Sequence, residues 1–135
     1  MGVSIDFKEL SSYQSSITLM RKEYHEFLKD FLTEMAERVI SRTKPRTPVD
    51  TGALRASWEL GDIHGDGENI SIEILNGQEY ATEIEYGHRI VINGVEIGWY
   101  EGRFMLKTSM DEIHKQIPLR YKSKFKEFRA KYGLV

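Results

Sequence analysis

Residues 47–58 read Thr-Pro-Val-Asp-Thr-Gly-Ala-Leu-Arg-Ala-Ser-Trp, and this stretch separates an α part of the chain from a β part. Pro48 cannot continue a helical hydrogen-bond ladder and pushes the residue before it towards an extended conformation, so a preceding helix is predicted to end by about Lys44. Asp50 is predicted to cap a short helix, because its carboxylate can accept free amides of the following turn. A strand is predicted from Ser57 onwards, where polar and apolar residues alternate.

The α part is predicted to be one long amphipathic helix. Apolar residues recur at helical spacing from about Ile17 to about Arg42, and the opposite face carries charged residues that form an ordinary solvated surface. Residues 1–16 hold a few apolar residues followed by serines. They are therefore predicted to be extended and flexible, with a single helical turn.

The β part is predicted to contain two hairpins. Alternation of apolar residues predicts one strand from Trp58 to Ile63 and another from Ile70 to Ile74. Residues 80–86 are predicted to cross to the next hairpin as a helical or irregular segment. In that hairpin, Asn93-Gly94 is the strongest short signal for a tight turn. A type I′ turn there predicts three cross-strand pairs: Ile92 with Val95, Ile90 with Ile97, and His88 with Trp99.

Helical spacing returns towards the C-terminus. One helix is predicted from Phe104 to near Pro118, and a second, basic helix is predicted to follow and to end at Gly133. The whole pattern predicts one α+β domain over residues 1–135, with a basic helical extension over 118–135. In that domain a long N-terminal helix and C-terminal helices pack on a roughly four-stranded antiparallel sheet.

The charge is distributed unevenly along the chain. The net charge is −2, made up of about +1 for residues 1–58, −9 for residues 59–101 and +6 for residues 102–135. This pattern disfavours a simple nucleic-acid binder over the whole domain. It is typical of a self-assembling subunit whose neighbours meet with opposite charge.

Composition excludes several classes of chemistry. The chain has no cysteine, so disulfides, thiolate catalysis and cysteine zinc sites are excluded. No apolar run is long enough to cross a bilayer, and the N-terminus lacks the basic-then-apolar order of a signal peptide. We therefore expect a soluble, unprocessed protein with no membrane partner and no cofactor.

One segment comes close to a calcium-binding loop. Residues 62–73 place acidic and polar residues at alternate positions, with glycine sixth and glutamate twelfth, but the third ligand would be His64 and the flanks are predicted strands. A metal-dependent hydrolase around His64 and Asp66 is a weaker alternative for the same segment. Since the sequence offers no nucleophile, oxyanion loop or phosphate-cradling glycine run, no catalytic or metal site is predicted.

Three segments together resemble a known family. Residues 47–58 resemble the hallmark of small tail-completion proteins, also described as tail components or head–tail joining proteins, of long-tailed bacteriophages and prophages. Residues 80–87 resemble the family's Tyr-Ala-x-x-Val-Glu-Tyr-Gly segment, and residues 103–110 resemble its Arg-Pro-Phe-Leu-x-x-Ala-Leu segment. The chain departs from the family by Gly102-Arg103 in place of a proline before the phenylalanine, and by an extra hairpin between the last two segments. The matching residues are Pro48, Asp50, Thr51, Gly52, Leu54, Arg55 and Trp58; Tyr80, Ala81, Glu85, Tyr86 and Gly87; and Arg103, Phe104 and Leu106.

The resemblance implies a non-enzymatic virion protein that completes the tail and helps to join it to the head. It implies a homo-oligomeric ring, hexameric on the assembled tail, at the head-proximal end of the tail and around the path of the DNA. The implied partners are the tail tube, the head connector proteins and DNA that passes without specific binding. Assembly would take place in the cytoplasm of the bacterial host.

The basic C-terminal helix leaves two alternatives open. Its aromatic stripe either docks on its own domain or meets a neighbouring subunit, in which case Tyr121, Phe125 and Phe128 are the candidate interface. Alternatively, the helix binds phosphates and bases, and the chain is a small nucleic-acid-binding protein.

Overall fold

The computed structural model describes residues 7–66 and 69–134. Two long helices run alongside each other, and two small β-hairpins and two short helices lie between them in the sequence. The elements in chain order are α1 (Phe7–Arg46), α2 (Ala53–Ala56), β1 (Trp58–Asp66), β2 (Asn69–Asn76), α3 (Ala81–Tyr86), β3 (Gly87–Ile92), β4 (Val95–Glu101) and α4 (Met105–Ala130).

Helix α1 is longer at both ends than predicted. It is already helical at Phe7, so the expectation of an extended start over residues 1–16 is wrong for residues 7–16, while residues 1–6 lie outside the described residues. At the other end it continues through Pro45 to Arg46 instead of ending by Lys44. Pro45 lies one residue before the end of α1, so it removes only one backbone hydrogen-bond donor from the helix. Pro48 restricts Thr47, the residue immediately before it, so the helix can still extend to Arg46.

The four strands form two separate two-stranded sheets, so the predicted four-stranded sheet is wrong. β1 pairs with β2 from Trp58↔Asn76 to Asp66↔Asn69, with an irregularity between Leu60 and Ile63. β3 pairs with β4. The turn after β2 and helix α3 intervene between the two hairpins, and no strand of one hairpin is hydrogen-bonded to a strand of the other among the described residues.

The tight turn of the second hairpin is as predicted, but its register is not. Asn93 and Gly94 both have positive φ, 50° and 77°, as a type I′ turn requires, and Ile92 pairs with Val95. The register then shifts between Ile90 and Val91. This bulge inserts one extra residue in β4, so the paired residues become Ile90 with Gly98 and His88 with Tyr100, instead of Ile97 and Trp99.

Helix α4 is one continuous helix, so the predicted break near Pro118 is wrong. Pro118 is exposed, while Ile117 before it and Tyr121 three residues after it pack against α1. A proline inside a helix costs about 3 kcal/mol, and apolar packing along both halves of the helix offsets that cost. Past the end of the helix, Gly133 adopts φ 73° and donates its amide to the Ala130 carbonyl, so it closes the C-terminus near the predicted place.

The core consists of two adjoining clusters. One joins the two long helices through Met35, Val39 and Ile113. The other consists of Leu54 in α2, Trp58 at the start of β1 and Met105 at the start of α4, which are buried together. Ile74 and Leu106 contact both clusters and so connect them. Within residues 7–66 and 69–134, no helix is both long enough and apolar enough to span a membrane.

Candidate functional site

The three family-like segments, far apart in sequence, meet at one place in the fold. Leu54 and Trp58 of the first segment are buried against Met105, which lies within the third. Around them pack Ala81 and Ile84 of the second segment and Leu106 of the third. We call this the motif cluster.

The first segment is held in place by a chain of buried hydrogen bonds. The indole nitrogen of Trp58 donates to the hydroxyl of Thr47 over 2.9 Å, and that hydroxyl donates to the Thr43 carbonyl over 2.8 Å. Arg55 Nη2 donates to the Thr47 carbonyl over 2.9 Å. Because Thr43 and Thr47 are almost completely buried, these bonds satisfy groups that would otherwise be costly to remove from water. The hinge between α1 and β1 is thereby fixed.

Asp50 does not cap the short helix, so that prediction is wrong. Helix α2 begins at Ala53, later than expected, and the residue before it, Gly52, adopts the left-handed conformation with φ 86°. The bond that the short turn does receive comes from Thr51, whose hydroxyl accepts the Ala53 amide over 3.3 Å. Asp50 is exposed and lies two residues before Gly52, which is too far from α2 to cap it. It is therefore free to face solvent or a partner.

Glu85 of the second segment caps the long helix α4. Its side chain is only 6% exposed, and its two carboxylate oxygens accept the Leu106 amide over 2.9 and 3.1 Å. One of them also accepts the Lys107 amide over 3.4 Å. A carboxylate in this position satisfies orphan donors and faces the positive end of the helix dipole. Glu85 therefore serves to start α4 in the correct place.

Backbone contacts tie the second segment to the third and form the base of the β3–β4 hairpin. Arg103 donates its amide to Ile84 over 2.8 Å, and Phe104 donates to Glu85 over 3.1 Å. A side chain at Gly87 would collide with the backbone of Tyr100, and Gly87 also has φ 86°. The strand–helix junction therefore requires glycine there for both reasons. These contacts fix the backbone at the base of the β3–β4 hairpin.

The outer surface of the motif cluster is apolar and aromatic. Tyr86 is 62% exposed and meets the exposed ring of Phe104 edge to face, with ring centroids 6.5 Å apart. A cleft of about 290 Å³ lies beside it, lined by residues 48–52 together with Leu54, Tyr80, Ile84 and Tyr100. Arg103 is exposed and donates from Nε to the Tyr100 hydroxyl over 3.4 Å. Such a surface can contact a protein partner.

The aromatic stripe of α4 packs within the chain. Tyr121, Phe125 and Phe128 interleave with Tyr24 and Phe27 of α1, and the rings of Phe27 and Phe128 stack with centroids 4.6 Å apart. Burial, and then the hydrogen bond with Tyr24, raise the pKa of Tyr121 to about 12, so its hydroxyl stays protonated at physiological pH. Phe128 is buried and the other two rings are half-buried, so the stripe covers α1 of its own chain.

The calcium-like segment does not gather ligands in the part of the chain that the structure describes. His64 Nε2 lies 2.7 Å from Glu73 Oε1 across the β1–β2 hairpin, as an exposed cross-strand pair. Residues 67 and 68 lie outside the described residues. Among residues 11–65 and 69–134, whose side chains the structure describes, no group of three or more histidine, aspartate or glutamate side chains could hold a metal ion.

Comparison with known proteins identifies the family. A family model described as "Bacteriophage HK97-gp10, putative tail-component" matches residues 14–87, which is more than half of the chain. The chain belongs to this family. No curated protein sequence and no solved structure is detectably similar to it.

Membership of the HK97-gp10-like family has two consequences here. Phage tail components are typically structural, non-enzymatic and associated with the virion. The matched residues run from 14 to 87, so they include α1 from Gln14 onwards, the hinge, the first hairpin and α3. Apart from Gly87, the β3–β4 hairpin and α4 lie beyond the match. The family match therefore carries no information about these two elements.

Proposed function

We propose that this tail component is a non-enzymatic structural subunit that completes the phage tail and joins it to the head. In the proposal, copies form a ring, hexameric on the assembled tail, around the DNA path at the head-proximal end. Their partners are each other, the tail tube and the head connector, and assembly takes place in the host cytoplasm. Family membership supports a structural role in the phage tail. The surface of the molecule supports the ring and its place around the DNA path.

The observation that carries the proposal is the apolar surface around the motif cluster. Large apolar side chains are exposed on both faces of the second hairpin and at its base, and exposed apolar surface of this size marks places where a protein contacts partners. The exposed set consists of Tyr86, Val91, Ile92, Val95, Ile97, Trp99 and Phe104. Backbone hydrogen bonds from Arg103 and Phe104 to α3 hold the base of the hairpin beside the motif cluster.

The charge of the β part supports passage of DNA without gripping. Residues 59–101 carry a net charge of about −9, and their acidic side chains include exposed Glu59, Glu73, Glu83 and Glu96. A ring that turned this surface towards its channel would repel phosphates and release no counterions on contact. DNA could then move through without being held.

Nucleic-acid binding by α4 is the second candidate. In its favour, Lys122, Lys124 and Lys126 are exposed and form no ion pair within the described part of the chain. Against it, the neighbouring aromatic rings pack against α1, so they are not free to stack on bases. Only phosphate contacts would remain, and these predict weak binding that is lost as salt is raised.

Deletion of the gene from the phage or prophage that encodes it tests the proposed role. We expect DNA-filled heads and unattached tails in electron micrographs of the lysate, and we expect intact virions when the wild-type chain is supplied in trans. We expect this because heads and tails assemble separately, and in the deletion strain they lack the subunit that binds both. Normal numbers of infectious virions from the deletion would contradict the proposal.

A further inference from the structure

The chain contains two Asn-Gly pairs, and the fold holds them in different ways. Asn76 is the last residue of β2 and precedes Gly77, whereas Asn93 and Gly94 form the turn between β3 and β4. An asparagine before glycine is prone to deamidation, because glycine has no side chain to hinder its own amide nitrogen from approaching the asparagine side chain. The sequence makes both asparagines reactive, so the local structure decides which of them reacts.

The reaction is a ring closure within the chain, followed by hydrolysis. The backbone nitrogen of the glycine gives up its proton and bonds to Cγ of the asparagine, while the bond from Cγ to Nδ2 breaks and Nδ2 leaves as ammonia. Water then opens the cyclic imide at either carbonyl and leaves aspartate or isoaspartate. The net change consumes water and releases ammonia, so the reaction needs no oxidant, reductant or enzyme.

Hydrogen bonds and strand pairing hold Asn76. Its Nδ2 donates to the Leu54 carbonyl over 2.8 Å, and its Oδ1 accepts the Gln78 amide over 3.1 Å. Its backbone is part of β2 and pairs with Trp58. Ring closure requires a backbone conformation at the asparagine that is neither extended nor left-handed. Asn76 therefore reacts only after the end of the strand opens and both hydrogen bonds break.

Asn93 lies in a turn that opens more easily. Every residue from 91 to 99 is exposed, and among the described elements α3 is the one that makes more than sparse contact with the hairpin. Asn93 is also left-handed, with φ 50°, a conformation that a residue with a side chain adopts at some cost. Sparse contacts and this cost favour local opening of the turn, which allows the Gly94 nitrogen to reach Cγ of Asn93.

We propose that Asn93 is a site of spontaneous deamidation in the folded chain, and that the fold protects Asn76 from the same reaction. Deamidation adds a negative charge to the tip of the hairpin. In the isoaspartate product the backbone also runs through the former side chain and gains one carbon, so a two-residue turn can no longer pair Ile92 with Val95. The exposed apolar surface at the tip therefore changes as the protein ages. This inference does not depend on the proposed role in the virion.

Peptide mass spectrometry of the aged full chain tests the proposal. The folded protein is incubated at mildly alkaline pH and then digested with trypsin, which places Asn93 in the peptide 90–103 and Asn76 in the peptide 56–89. Fragmentation identifies the modified residue, since the second peptide also contains Asn69. Asn93 should deamidate at least about tenfold faster than Asn76, because two hydrogen bonds must break before Asn76 reacts. Equal rates, or faster reaction at Asn76, would overturn the proposal.

The same chain unfolded in guanidinium chloride is the control. Both asparagines precede glycine, so they should deamidate at similar rates once the fold is lost. If the preference for Asn93 were equally large in the unfolded chain, it would come from the neighbouring sequence and not from the structure, and the proposal would be wrong.

Asn93→Asp separates the added charge from the lengthened backbone. Aspartate before glycine also suits a type I′ turn, so this variant should keep the contact between Ile92 and Val95 in nuclear Overhauser spectra. The isoaspartate form, purified from aged wild-type protein, should lose that contact. If the isoaspartate form kept it, the proposed change of the hairpin tip would be refuted.

Discussion

Replacing Met105 with alanine should lower the free energy of unfolding by about 3 kcal/mol, the middle of the usual range for a buried methionine cut to alanine. Met105 is completely buried where Leu54 and Trp58 meet the start of α4, so its removal leaves a cavity at the point where the three segments join. Urea denaturation monitored by tryptophan fluorescence would measure the loss, because Trp58 lies in the same cluster.

Met110→Ala provides the matched control for this prediction. Both methionines lie on α4, but Met110 is 48% exposed. Its replacement should cost less than about 1 kcal/mol, because about half of its surface already faces water. Similar losses for the two variants would mean that the motif cluster is not the centre of the fold.

Replacing Glu85 with alanine should lower the free energy of unfolding by about 2–3 kcal/mol. The change leaves the half-buried Leu106 amide and the Lys107 amide without their side-chain acceptor and removes a negative charge from the positive end of a long helix. Far-ultraviolet circular dichroism during urea denaturation would follow the helix directly. Glu85→Gln should lose less, because its amide oxygen can still accept one of the two amides.

Asp50→Ala is the control for Glu85, since it removes an acidic residue from the same group of segments. We expect a change within about ±0.5 kcal/mol, because Asp50 is exposed and caps nothing. If Asp50→Ala were to cost as much as Glu85→Ala, the hinge would be capped in solution in the way that the sequence pattern first indicated.

The parts of the fold that depend on neighbours in sequence were predictable. Helical spacing identified most of α1, and Asn93-Gly94 identified the second hairpin and its turn. The errors arose where distant packing outweighed a local rule. Pro118 breaks an isolated helix, but in α4 the packing against α1 on both sides of it holds the helix together. The separation of the two sheets likewise depends on how α3 and the glycine junction at Gly87 turn the chain.

The site was predictable as a set of residues but not as a set of roles. The three segments pointed to the motif cluster, and the family match extends over the first two of them. No local pattern indicates that Glu85 caps α4, because its partners lie 21 and 22 residues further along the chain. Periodicity also could not decide whether the aromatic stripe of α4 covers its own chain or another. The same spacing fits a helix that packs on its own chain and a helix that packs on another subunit. The position of α1 in the fold decides between the two, because the stripe packs against it.

We propose that this tail component occupies the junction between tail and head. Cryo-electron microscopy of purified virions, with the subunit enlarged by a fused marker domain, tests it most directly. We expect a ring of marker density at the head-proximal end of the tail, surrounding the DNA path, with one marker for each subunit. Marker density at the distal tip of the tail, or virions that lack the protein altogether, would contradict the claim.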